Sequence, residues 1–256
     1  MSRFNRKRLL KNIASLTKEK GIKIGDLETE AGVSAGYFSR LNKGDSNAVP
    51  NIEVLTAVSD RLTITLDSLV KVDYETLTSS ERYLIDFIDK LIVKASTFSM
   101  IWEEQTIRKM LATGINQDGD AIHPLLEVRE VYEGADPDTG YPSYDEKLVY
   151  NSLFYEGESI GLLGSSYHID FDNSSVLWLV EVGVEDEDGV PDAEIEFYMQ
   201  VNRRVTPICH TVHNSSSPFN EILFSLYQAA AETSKRPKIA PEVKSAIDSF
   251  MEESPH

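Results

Sequence analysis

The chain has 256 residues, of which 41% are apolar, enough for a sizeable core and for two ordinary domains. No apolar run reaches the roughly 18 residues of a membrane helix, the opening Met1-Ser2-Arg3-Phe4-Asn5-Arg6 is charged where a signal segment would be apolar, and the lone Cys209 cannot form an internal disulfide, so a cytoplasmic, non-membrane protein is expected. The formal charge of −17 would repel nucleic acid, but it is unevenly spread: residues 1–70 carry 11 Lys/Arg against 8 Asp/Glu, a balance of +3, while residues 71–256 carry 14 against 34, a balance of −20.

In the first part, Leu9, Leu10, Ile13 and Leu16 recur at helical spacing, and Gly21 stops that helix. A second helix is predicted over Ile24–Ala31. It runs into Gly32-Val33-Ser34, where glycine suits a tight corner and Ser34 can cap a third helix extending to Lys43. Shorter amphipathic pieces follow over Asn51–Arg61 and Leu66–Val70, making a compact five-helix bundle over residues 1–72.

The string from Gly21 to Gly44, with Leu27, Ala31, Gly32, Val33, Phe38 and Leu41 in order, followed by Pro50-Asn-Ile-Glu-Val-Leu and Leu66-Asp-Ser-Leu69, resembles the Cro/C1-type (XRE) helix-turn-helix family over a little more than a quarter of the chain. The resemblance implies a DNA-binding domain whose third helix enters a major groove, with duplex DNA as partner and a homodimer reading two half-sites. Ser34, Ala35, Ser39 and Arg40 match positions that reach base edges, and Arg40 is the side chain suited to a bidentate guanine contact. Lys23 and Lys43 are assigned to phosphates. Gly36, costing about 1 kcal/mol relative to alanine in a helix interior, marks either a close approach to DNA or a tolerated defect. Tyr37 packs either on the sugar-phosphate backbone or over the bundle. The chain departs from the family where Ile24 replaces a phosphate-contacting glutamine, Glu28 a small residue and Asn42 a glutamate. Glu28 is expected to widen the helix crossing or to turn its carboxylate outward.

Residues 73–112 read as a helical connector. Thr78-Ser-Ser-Glu81 fits a capping box, and Tyr83, Leu84, Phe87, Ile88, Leu91 and Ile92 form a stripe that packs on the rest of the chain or on a second subunit. Residues 113–256 read as an acidic α+β domain with an antiparallel sheet, so that the whole is multidomain, all-α then α+β. Val176–Val184 and Ile195–Val201 alternate as a hairpin around the acidic turn 185–192. Further strands are expected over 125–132, 146–154 and 205–213, and helices over 218–233 and 241–251.

No residue set points to an enzyme, a metal or a cofactor. Cys209 and His210 fall on opposite faces of a strand, and His213 completes no ligand set. The acidic turn lacks carboxylates at the first and twelfth positions of a calcium loop. Tyr167-His168-Ile-Asp170 lacks a nucleophile motif, and Gly161-Leu-Leu-Gly164 lacks the phosphate-loop lysine. The expectation is a bacterial or phage transcription regulator, a repressor or activator, whose C-terminal domain senses a ligand, binds a partner or helps assembly. The alternative is an inhibitor whose acidic domain blocks a nucleic-acid-binding partner, an architecture similar to that of some phage anti-CRISPR proteins.

Overall fold

The computed structural model describes residues 5–43, 48–114, 123–155, 160–171, 174–185, 191–202, 204–213 and 215–236, with isolated positions at 243, 245, 249 and 250. The predicted turn at 186–190 and most of the predicted helix at 241–251 lie outside them. Five helices open the chain: α1 (Arg6–Glu19), α2 (Ile24–Glu30), α3 (Tyr37–Lys43), α4 (Ile52–Leu62) and α5 (Leu66–Lys71). Their starts follow local chemistry, because the Asn5, Asn51 and Thr65 side chains each accept a backbone N–H of the first turn of α1, α4 and α5. Leu9, Ile13, Leu27, Val58, Leu62 and Leu69 fill the space between them. One buried polar residue completes the packing: Asn12 donates to the carbonyls of Leu69 and Val72 at 2.9 and 2.7 Å, tying α1 to the end of α5.

Helix α6 (Ser79–Ser96) starts at the expected capping box between Thr78 and Glu81 and runs 18 residues, with Ala95 extending its apolar stripe. Ile85, Ile88, Leu91, Ile92 and Ala95 are buried within the chain itself, against α8 (Phe219–Ser234) and the sheet. The stripe is therefore covered and offers no seam to a second subunit. Tyr83, counted with the stripe from the sequence, is 76% exposed.

The connector is only partly helical. After α6 the chain forms β1 (Glu103–Gln105), paired antiparallel with β5 (Ser166–Phe171), and then α7 (Ile107–Thr113). A strand of three polar residues carries no readable periodicity. The antiparallel sheet orders as β1-β5-β6-β7-β8, with β6 (Ser175–Glu185), β7 (Pro191–Val201) and β8 (Arg204–His210), and with β4 (Gly161–Leu162) also pairing with β6. In the central hairpin Trp178 faces Tyr198 and Leu179 faces Phe197. One face, including Leu177, Leu179, Ile195, Phe197 and Cys209, packs on α6 and α8. The other, including Trp178, Val180, Val182 and Tyr198, packs on Met110, Leu125, Leu126 and Tyr150. Burial on both faces is worth roughly 1.5–3 kcal/mol for each large apolar side chain, and it makes β6 and β7 the centre of the C-terminal region.

The strands predicted over 125–132 and 146–154 pair with each other as a separate two-stranded ribbon, β2 (Leu126–Ala135) and β3 (Pro142–Tyr150). Its root is fixed to the sheet through buried Glu196, which accepts from the hydroxyls of Tyr150, Ser152 and Tyr198. No described helix is long and apolar enough to cross a membrane.

Asp89, fully buried on α6, accepts from the Thr65 N–H at 3.0 Å and the Ser68 hydroxyl at 2.9 Å, so α6 helps cap α5. Its other oxygen has no hydrogen-bond partner among the described residues. Burial pushes this carboxyl up to about 6, against the hydrogen bonds from Thr65 and Ser68 that pull it down and with a small upward push from Asp86. The folded chain thus holds this proton more tightly than the unfolded one, and the contribution of Asp89 to stability falls as pH rises from about 4 to 6. Asp89→Asn keeps one acceptor oxygen and removes the charge. Its stability relative to the parent should rise across that window by on the order of 3 kcal/mol and stay level above it, as read by urea denaturation at successive pH values.

Candidate nucleic-acid interface

Helix α2 ends where Gly32 takes φ +67°. The N–H of Val33 reaches the Glu28 carbonyl at 2.9 Å, and that of Gly32 reaches Thr29 at 3.1 Å, the paired bonds of a glycine-terminated helix. The chain then turns through Ser34 and Ala35 to Gly36, whose φ of +75° is incompatible with helix. Helix α3 accordingly begins at Tyr37, three residues later than the expected Ser34 start. Gly36 is a corner residue and not a helix-interior defect, and a Cβ there would also stand 3.3 Å from Arg40 Nη1.

The capping of α3 comes from the residue that looked least suitable. Glu28 is 3% exposed, and its carboxylate accepts from the Gly36 N–H at 2.7 Å and the Phe38 N–H at 3.0 Å. It neither turns outward nor lies idle at the crossing; it supplies two acceptors to the N–H groups that open α3. The expected cap, Ser34, instead accepts from Arg40 through its hydroxyl and from the Tyr37 N–H through its carbonyl. Two further braces were missed in the sequence. Arg6, in the first turn of α1, donates to the carbonyls of Leu41 and Ala48, and Glu30 pairs with Arg61 at 3.3 Å. A lone arginine or glutamate on a short helix carries no signal of such a distant partner.

Around this corner, Lys23, Ser34, Ala35, Ser39, Arg40 and Lys43 are all exposed, while Phe38 is buried and Leu41 packs against the core. Tyr37 is half-buried and meets Phe38 edge to face at 5.3 Å, so its ring covers the bundle. The Arg40 guanidinium folds back over the corner, donating to the Ala35 carbonyl at 2.7 Å and to the Ser34 hydroxyl. Lys23 and Lys43 make no ion pair among the described residues. Ile24 and Asn42, two departures from the family pattern, line one groove of about 330 Å³ with Leu10, Ala14 and Phe38.

The other motifs are dispersed. Cys209 is buried beside Phe197, and burial pushes its thiol up to about 12, leaving it protonated at neutral pH. His210 lies against Phe154 on the opposite face, and His213 lies past the end of β8, 3.1 Å from Asp192. His168 stacks on Trp178, with Glu103 and Asp170 about 4 Å from its Nε2. Gly164 sits where a Cβ would collide with Glu181, so it serves close packing. Among the described residues no three His, Cys, Asp or Glu side chains converge as a metal set.

The chain matches no protein-family model, no curated protein and no solved structure.

Glu28→Ala leaves the Gly36 and Phe38 N–H groups without their acceptor and opens a void at the corner. It should cost on the order of 2 kcal/mol in urea denaturation. Glu28→Gln, which keeps one acceptor oxygen, should lose about half as much.

Proposed function

We propose that the chain is a sequence-specific DNA-binding transcriptional regulator, with residues 1–72 a helix-turn-helix domain of the Cro/C1 type and the acidic C-terminal region a sensing, partner-binding or assembly module. The observation that carries this reading is the corner between α2 and α3. Ser34, Ala35, Ser39, Arg40 and Lys43 are exposed together while Phe38 and Leu41 hold α3 on the bundle, and the carboxylate closest to that corner, Glu28, is sequestered by backbone N–H groups. A short helix with small polar residues and one arginine on its outer side fits a major groove, where a bidentate arginine discriminates guanine.

Arg40 is the specificity residue in this reading. In the free chain its fork donates to Ala35 and Ser34, so a guanine contact exchanges those bonds for bonds to the base. Lys43 and Lys23 neutralise phosphates. The chain acts as a homodimer on two half-sites, and since the α6 stripe is covered, the subunits meet through another surface.

Selection of duplexes from a random library at near-physiological salt should enrich a two-fold symmetric site. Arg40→Ala should lose about 1–3 kcal/mol of discrimination at one base pair of each half-site. Lys43→Ala should weaken all sequences alike and lower the salt dependence by about one unit of slope. Failure to enrich any sequence would overturn the reading.

A further inference from the structure

We propose that the β2–β3 ribbon is a docking arm for an arginine-bearing protein surface. This inference stands apart from the DNA-reading proposal and uses none of its residues. Among the described residues the ribbon is a sheet of its own, hydrogen-bonded to no other strand. One of its faces carries Leu126, Val128, Glu130 and Tyr132, opposite Tyr150, Leu148, Glu146 and Tyr144 in that order. At the root, Leu126 and Tyr150 are buried and Leu148 packs on the second core. Outward from Val128, 40% exposed, nothing among the described residues covers that face. The pairs out to Ala135 and Pro142 carry it on the order of 20 Å further. A two-stranded ribbon is marginal in water by itself, so a long uncovered one with an anchored root is built to be covered.

The chemistry of the uncovered part selects the occupant. Tyr132 and Tyr144 are 58% and 60% exposed, with ring centroids 5.7 Å apart, and Tyr141 at the tip is 74% exposed. Rigid aromatic side chains of this kind provide contact area at low entropic cost. Beside them Glu130 stands directly across from Glu146, both exposed, an arrangement of like charges that weakens the ribbon in the free chain. Residues 126–150 hold seven carboxylates against two cations, a balance of −5, and both cations are already engaged, Arg129 by Glu127 and Lys147 by Glu133. The opposed carboxylates next to two tyrosine rings are matched by a guanidinium, which can bridge the former and stack on the latter. Nucleic acid and anionic membrane are repelled by this charge. A second copy of the ribbon would bring the same net charge against itself.

The test uses the full chain and a fluorescein-labelled peptide of alternating arginine and glycine, read by fluorescence polarisation at physiological salt. Tyr132→Ser/Tyr144→Ser and, separately, Glu130→Lys/Glu146→Lys should each weaken binding at least tenfold. The charge-matched control Asp60→Lys/Glu232→Lys, on exposed positions elsewhere, should change it less than twofold. Circular dichroism should show all three folded, since every substituted side chain is exposed. No binding by the parent, or an equal loss in the control, which marks unspecific attraction of a polycation to an acidic protein, would overturn the proposal. So would concentration-dependent self-association abolished by the tyrosine substitutions, which would give the ribbon to a second copy.

Discussion

Helix α6 has one apolar side, and both halves of the molecule pack along it. A single buried core runs from Leu9 in the N-terminal helices through Ile85, Ile88 and Ile92 to Phe197 in the sheet and Leu226 in α8. Hydrophobic burial has no direction of its own, so it would tolerate several rotations of α6. Asp89 removes that freedom, because its buried carboxylate must meet the Thr65 N–H and the Ser68 hydroxyl. The ion pairs around the junction, Lys20 with Asp86, Arg82 with Glu19 and Lys71 with Glu221, are partly exposed and each contributes at most about 1 kcal/mol. The apolar stripe supplies the adhesion and the buried carboxylate sets the angle. The N-terminal helices share one continuous buried core with α6, α8 and the sheet.

The same economy governs the sheet. With α6 and α8 on one face and α7, the loop 150–155 and the ribbon root on the other, β6 and β7 have no solvent side along most of their length. Polar residues trapped there need partners. Glu196 finds three hydroxyls, and Glu194 accepts from the Tyr155 hydroxyl and the His213 N–H. These bonds fasten the segment after β3 to the sheet and so determine where the ribbon leaves the body. The acidic excess of the C-terminal region lies on surfaces such as the ribbon, where water screens it.

At the α2–α3 corner the backbone and the side chains solve one problem together. Gly32 and Gly36 both take positive φ, which bends the chain twice within five residues and leaves the N–H groups opening α3 pointing at α2. Glu28 fills that position. The bend presents Ser34 and Ala35 outward and brings their oxygens within reach of Arg40.

Much of this architecture was legible in the sequence. The five N-terminal helices, the α6 capping box, the β6–β7 hairpin and α8 follow from periodicity, caps and turn residues, which act over a few neighbouring positions and leave a local trace. The exposure of Arg40 and Lys43 follows the same way, from the helical spacing of Phe38 and Leu41. What the local signals could not contain is which partner a side chain meets across the fold. Glu28 read as a misfit because its two acceptors are spent on N–H groups that only the positive φ of Gly36 brings to it. The α6 stripe read equally as core or as a subunit seam, because periodicity states that a face is apolar and not what covers it. The three-residue β1 is a strand only because β5 lies beside it, and the strands at 126–135 and 142–150 form a ribbon of their own because Leu126, Leu148 and Tyr150 are spent on the second core. Pairing and burial are bought with contacts between residues far apart in the chain, and those exist only once the tertiary structure has formed.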